Sequence, residues 1–152
     1  MRVGVLAWGS EGDLRPLVAL AGRLRKLGHD PDLVFVVVDD KDHAPLCLRY
    51  GVTMRVIPED VVINVEDIAR ELVNERPGKI LEAIIARAFR PYVDAMYEAG
   101  LALCDKSDVV IGTSSSWPLK AAAMKTGVPY VVIDYMPVVR SRVVPPTGLA
   151  NW

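Results

Sequence analysis

Five short apolar runs recur along the chain, each followed by a stretch with helical spacing. They are RVGVLA (Arg2–Ala7), LVFVVV (Leu33–Val38), TMRVI (Thr53–Ile57), DVVIG (Asp108–Gly112) and YVVID (Tyr130–Asp134). Most are continuous rather than alternating. A continuous β-branched run suits a strand buried on both faces of a parallel sheet. Parallel neighbours need crossovers, and the intervening stretches can supply them. Leu14, Leu17, Val18, Ala21 and Leu24 form one apolar stripe that stops at Gly28. Residues Ala44 to Tyr50 form a short helix closed by Gly51, and a last helix runs from Pro118 to Lys125 before Gly127 and Pro129. Between the third and fourth runs lies a longer helical region, Val65 to Cys104. Its pattern breaks at Pro77-Gly78, and Pro91 is expected to kink the second piece.

This alternation predicts an α/β domain, a doubly wound Rossmann-like parallel sheet with right-handed crossovers. The two-helix excursion after the third strand marks the change of direction, so the expected strand order is 3-2-1-4-5. Residues 1–137 make the domain. Periodicity dissolves after Asp134, and residues 138–152, with Pro145 and Pro146, read as a loop or linker.

Composition narrows the class. The chain has 152 residues, 51% of them hydrophobic, enough for one core. Its net charge of -1 gives no electrostatic hold on nucleic acid, which is not expected as a partner. No basic run marks an anionic membrane surface, and LVFVVV falls far short of a membrane span. The N-terminus is too soon interrupted for a signal peptide. Cys47 and Cys104 stand apart, outside any CxxC motif. Neither His29, expected at the surface, nor His43, at a helix start, has companions for a metal site. No metal is expected, and the location is expected to be cytoplasmic. Peripheral contact with the inner face of a membrane stays open.

In the predicted topology strands 1 and 4 diverge at their carboxyl ends and leave a crevice. GSEGD (Gly9–Asp13) and GTSSSWP (Gly112–Pro118) border it. The first stretch admits three readings. As a dinucleotide cradle it lacks the third glycine of G-x-G-x-x-G, and Asp13 puts negative charge where a pyrophosphate belongs. Asp39 and Asp40 could only imitate the ribose partner. As a helix start, Asp13 is the N-cap and Pro16 sits in the first turn. As a catalytic device, Asp13 is a general base at the crevice mouth, with Gly9 and Gly12 admitting a hydroxyl or sugar close to the backbone. Cap and base are compatible. Around the same opening, Trp8, Ser10, Ser114, Ser115, Ser116, Trp117, Asp134 and Tyr135 are candidate ligand contacts. Packing and helix capping are the competing roles for the serines and tryptophans.

GSEGDLRPLVALAGRLRKLGHD (Gly9–Asp30) resembles the opening of GT-B glycosyltransferases of the sterol glucosyltransferase and antibiotic aglycone glycosyltransferase type. The matching residues are Gly9, Ser10, Gly12, Asp13, Pro16, Leu27, Gly28 and His29. AAAMKTGVPYVVI (Ala121–Ile133) and PPTGLANW resemble later parts of the same domain. The resemblance implies an N-terminal acceptor-binding domain of an inverting enzyme that moves a hexose from a nucleotide sugar to a hydroxyl of a lipid, sterol or natural-product aglycone. It implies Asp13 as the base. It also implies a variable acceptor-shaping region at Val65–Cys104, where Tyr92, Met96 and Tyr97 are candidates for an apolar pocket. The donor, a UDP- or TDP-sugar, is expected in a C-terminal domain that this chain lacks, supplied in cis or as a separate subunit. No cofactor is expected in this chain, which is not expected to catalyse alone. The alternatives are a non-catalytic Rossmann- or flavodoxin-like binding module and, behind it, an NAD(P)-binding domain.

Overall fold

The computed structural model describes residues 1–38, 41–57 and 65–134. Asp39, Asp40, Tyr135 and the expected linker at 138–152 lie outside the described residues. Five parallel strands form one sheet: β1 (Arg2–Gly9), β2 (Asp30–Val37), β3 (Met54–Val56), β4 (Val109–Gly112) and β5 (Tyr130–Val132). Their order is β3-β2-β1-β4-β5, as the alternation predicted. Among the described residues six α-helices accompany them: α1 (Glu11–Lys26), α2 (Ala44–Tyr50), α3 (Val65–Glu71), α4 (Pro77–Ile84), α5 (Val93–Lys106) and α6 (Trp117–Thr126).

The pleat of β1 divides the core. Val3, Val5 and Ala7 pack with Leu14, Leu17, Val18 and Ala21 of α1 and Cys47 of α2. Leu6, from the opposite face, packs with Met96 and Leu103 of α5 and with Leu119, Ala122 and Ala123 of α6. Both faces are therefore covered, which is why the strands read as unbroken apolar runs. Helices α1 and α2 lie on one face, α5 and α6 on the other. The chain changes sides between β1 and β4, whose residues pair from Val3↔Val109 to Leu6↔Gly112.

Several boundaries differ from the sequence expectation. Strand β2 begins at Asp30, three residues before its apolar run, because the strand partner Arg2 extends its ladder that far. Helix α1 begins at Glu11, so Asp13 is its third residue and not its N-cap. Ser10 takes the cap position in extended conformation. Pro16 consequently falls in the second turn, where the Gly12 carbonyl loses an amide partner. The break before α4 precedes Pro77, which opens that helix as its first residue. At Pro91 the chain does not simply bend. A π turn (Ile85–Phe89) widens the helix, a 3₁₀ turn (Arg90–Tyr92) tightens it, and α5 then continues. The proline nitrogen cannot donate to the preceding turn, and the register shift absorbs that loss. His43 does begin a helix, as the cap residue of α2. His29 is half-buried rather than a surface residue, with Nδ1 enclosed and unpartnered. Tyr92 and Met96 are core residues against the sheet and do not line an open pocket.

Candidate functional site

Two turns leave neighbouring strands at the carboxyl edge and go to opposite faces of the sheet. The first runs from Gly9 to Asp13. Gly9 has φ +147°, a conformation L side chains rarely adopt, and a Cβ there would collide with the Asp13 carboxylate. That collision is avoided so that Asp13 can fold back on the turn. Its Oδ2 accepts the Ser10 backbone N–H at 3.0 Å, completing a capping box, with the Ser10 hydroxyl a further 3.4 Å donor. Gly12 is different. A Cβ built on it meets only the Ser10 Oγ, at 3.9 Å. Nothing in the fold forbids a side chain at this point. Glu11, the first residue of α1, binds Arg15 and lies 3.7 Å from Lys41 across the opening after β2. The Arg15 hydrogen bond, helped by the Lys41 charge, holds the Glu11 carboxyl below its usual range.

The second turn runs from Gly112 to Trp117. Ser116 is fully buried. Its Oγ accepts the Thr113 N–H at 3.0 Å and donates to the Leu6 carbonyl at 3.0 Å. This hydroxyl ties the turn to β1 and faces the fold, not a ligand. The Tyr130 hydroxyl donates to the Thr113 carbonyl at 3.1 Å. Burial, with the nearby Asp134 carboxylate, pushes its pKa up to about 12. Asp134, just past β5, accepts the Ser114 N–H at 2.9 Å and so braces the same turn. Ser115 is half-buried, its Oγ 2.8 Å from Thr113 Oγ1. Ser114 is exposed.

An aromatic bridge joins the two turns. Trp8 lies 5.0 Å from Phe89, and Phe89 lies 5.7 Å from Trp117 in an edge-on contact. Trp117 is 60% exposed, while the Trp8 Nε1 is enclosed without an acceptor. The sequence reading missed Phe89, Tyr130 and Thr113. Phe89 had one usable signal, an aromatic residue just before the Pro91 irregularity. The hydroxyl of Tyr130 had none, because β5 places it by a contact across the sheet. Tyr135, the remaining candidate, is outside the described residues.

Among the described residues no cluster of His, Cys, Asp and Glu has the grouping to hold a metal ion. None of their helices is long and apolar enough to cross a membrane. The arrangement offers one carboxylate in a glycine turn, one internally latched hydroxyl turn and an exposed indole at a switch point. Such a site can orient a hydroxyl compound and accept its proton.

No family model matches the chain. Over 148 residues, 95% of the chain, it is 26% identical to a sterol 3-beta-glucosyltransferase of Neurospora crassa and spans 9% of that protein. Over 135 residues, 86% of the chain, it is 31% identical to a dTDP-epi-vancosaminyltransferase of Amycolatopsis orientalis and spans 30% of it. Among solved structures, the glycosyltransferase SsfS6 of Streptomyces sp. SF2575 matches with a TM-score of 0.59 and 26% identity. That match covers 87% of this chain and 38% of the other. SsfS6 has also been solved with thymidine diphosphate. Fold and site together define a Rossmann-like α/β domain with its switch point between β1 and β4. The fold matches GT-B glycosyltransferase domains, and the chain spans less than a third of each curated relative it matches.

Proposed function

We propose that the chain is the N-terminal, acceptor-binding domain of an inverting, nucleotide-sugar-dependent glycosyltransferase. The acceptor is a hydroxyl of a lipid, sterol or natural-product aglycone, and the group moved is a hexose. The observation that carries this reading is the turn at Gly9–Asp13, which sets a carboxylate beside a glycine whose outward side is open. The naming of both curated relatives as sugar transferases supports it.

The chemistry follows from that turn. Asp13 is held by the Ser10 amide through Oδ2, and an ionised carboxylate has acceptor capacity beyond one bond. It takes the proton of the acceptor hydroxyl as that oxygen attacks the anomeric carbon. The nucleotide diphosphate leaves from the opposite side of the ring, which inverts the configuration. The leaving group needs its own stabilisation. That task falls to a donor domain for a UDP- or TDP-sugar, in cis or on another subunit. Gly12 lets the acceptor approach the first turn of α1, Ser114 and Ser115 supply hydroxyls, and Trp117 supplies an apolar face. The reaction belongs in the cytoplasm, where nucleotide sugars are at hand.

One observation favours a second reading. The capping box accounts for Asp13 without any catalysis, as it would in a non-catalytic Rossmann- or flavodoxin-like binding module. Calorimetric titration separates the readings. The glycosyltransferase reading expects a sterol or polyketide aglycone to bind the chain, with NAD(P) inert. Tight dinucleotide binding would overturn it in favour of an NAD(P) domain. Binding of unrelated small molecules, with no effect of Asp13→Asn on turnover once a donor domain is supplied, would leave the binding module.

A further inference from the structure

The hydroxyls of the turn after β4 form one chain, and its direction is fixed at the buried end. The Leu6 carbonyl can only accept, so the single Ser116 proton, 3.0 Å away, is committed to it. The Thr113 amide can only donate, and it uses one lone pair of the same Ser116 oxygen at 3.0 Å. Ser116 is fully buried, so either bond left unmade would strand a polar group away from water. Thr113 Oγ1 lies 3.1 Å from Ser116 Oγ. With the Ser116 proton spent, that bond has to be donated by Thr113. Thr113 has only one hydroxyl proton, so its 2.8 Å bond with Ser115 Oγ has to be donated by Ser115. The protons therefore run from Ser115 to Thr113, to Ser116 and to the Leu6 carbonyl of β1. The outward end acquires a defined character. Ser115 is half-buried on the turn at the carboxyl edge of β4. Its proton goes inward and its lone pairs are left for a ligand. An ordinary serine hydroxyl rotates to donate or accept as its partner demands. This one only accepts. The adjacent amide does not compensate, because the Ser114 N–H is taken by the exposed Asp134 carboxylate at 2.9 Å.

We propose that Ser115 is a specificity-determining residue of the crevice: an acceptor-only contact that selects a ligand presenting an O–H or N–H at this turn. It disfavours a ligand that presents a carbonyl, ether, carboxylate or phosphate oxygen there. Resting on the transfer reading for where the ligand lies, this makes the aglycone a polyhydroxylated or amino-bearing one. One hydroxyl gives its proton to Asp13, and a second donor is held by Ser115. An oxygen without a proton in the second place would face the Ser115 lone pairs, and an anion would face the Asp134 charge as well. Thr113 is a positioning residue, acting only by taking the Ser115 proton.

The direction of the chain can be read with no ligand present. A neutron structure of the unaltered protein is expected to show the Ser115 deuteron between Ser115 Oγ and Thr113 Oγ1, and the Thr113 deuteron towards Ser116. A Thr113 deuteron aimed at Ser115 overturns the proposal. The ligand class is tested by NMR titration with 6,7-dihydroxycoumarin, its two monomethyl ethers and its dimethyl ether. The diol is expected to bind the unaltered chain about tenfold more tightly than either monomethyl ether. In Ser115→Ala one of these ethers should match the diol. In Thr113→Val, which keeps the side-chain shape, the Ser115 proton is released to rotate outward. The same ether should then gain on the diol, which relief of crowding at a distant methyl would not produce. A uniform loss of all the probes in Thr113→Val would mean a structural role alone and overturns the proposal. Equal or absent binding across the series in the unaltered chain overturns it too, as does a preference for the diol over both ethers that Ser115→Ala retains. If either variant fails to fold by circular dichroism, the neutron structure decides. The transfer reading fails on a separate result, unchanged turnover of Asp13→Asn, which none of these measurements uses.

Discussion

The turns at Gly9–Asp13 and Gly112–Trp117 occupy equivalent places, one on each side of the switch point, yet they are built in opposite ways. The second is closed on itself. Its buried Ser116 is spent on Thr113 and Leu6, its Thr113 carbonyl is taken by Tyr130, and its Ser114 amide is taken by Asp134. A Cβ at Gly112 would stand 2.8 Å from both Ser116 Cβ and the Tyr130 hydroxyl. The first turn spends a single carboxylate on its own backbone and leaves Gly12 facing open space. The fold needs glycine at Gly112, as it does at Gly9, whereas it places no such demand on Gly12. Under the proposed function the second turn fixes the crevice and the first meets what enters it.

The largest expected effect is on turnover. Asp13→Asn keeps a side-chain oxygen for the Ser10 amide, so stability should fall by less than about 1 kcal/mol. In an assay that includes a donor-binding domain, kcat should drop by roughly 10²–10⁴, as for loss of a general base. Near-normal kcat would reduce Asp13 to a helix residue and erase the chemical difference between the turns. Next comes Gly112→Ala, which forces a methyl into occupied space. A loss of about 1–3 kcal/mol is expected in a denaturant melt, and a melt unchanged from the parent would show that the second turn is not closed. Ser116→Ala should cost about 1–3 kcal/mol, because the buried Thr113 amide and Leu6 carbonyl lose their partner.

A smaller effect is expected at alkaline pH. The Tyr130 phenol has its pKa pushed up to about 12 in the fold, from an ordinary value of 10. A raised phenol favours the neutral form in the folded state. Its contribution is fully present below pH 10 and is lost as pH rises towards 12. Absorbance titration of Tyr130→Phe should lack the late-ionising phenol, and its stability should fall less steeply across that window. A parent protein with no late-ionising phenol that the variant lacks would mean that Tyr130 is not enclosed beside Asp134 as the fold has it.

How much of this was legible in the sequence follows from the range of the forces involved. The strands were legible from runs such as RVGVLA and DVVIG, and their order from the two-helix excursion after the third run. The start of α1 was misread because Asp13 stands next to the apolar stripe, while the cap is set by the backbone of Ser10 three residues earlier. The serines of the second turn looked equivalent in GTSSSWP. Only the approach of β1 buries Ser116 and leaves Ser114 exposed. Pro91 announced an irregularity but not its form, a π turn followed by a 3₁₀ turn, with Phe89 between two tryptophans. Local signals fix elements. Contacts across the sheet decide which side chains are left for a ligand.

Gly12→Ala has the smallest expected effect on the fold and separates the two turns most sharply. The added methyl meets nothing nearer than the Ser10 Oγ at 3.9 Å. Alanine also loses less backbone entropy than glycine in a helix, by about 0.5–1 kcal/mol. The melting temperature should therefore hold or rise slightly, where Gly112→Ala lowers it. Acceptor binding should move the other way. A methyl on the outward side of the first turn of α1 occupies the space a ligand would use, and a loss of affinity of about tenfold, or 1.4 kcal/mol, is expected by calorimetry. Unchanged affinity with unchanged stability would mean that neither fold nor ligand needs this glycine. The acceptor would then have to enter elsewhere along the carboxyl edge, nearer Trp117 than Asp13.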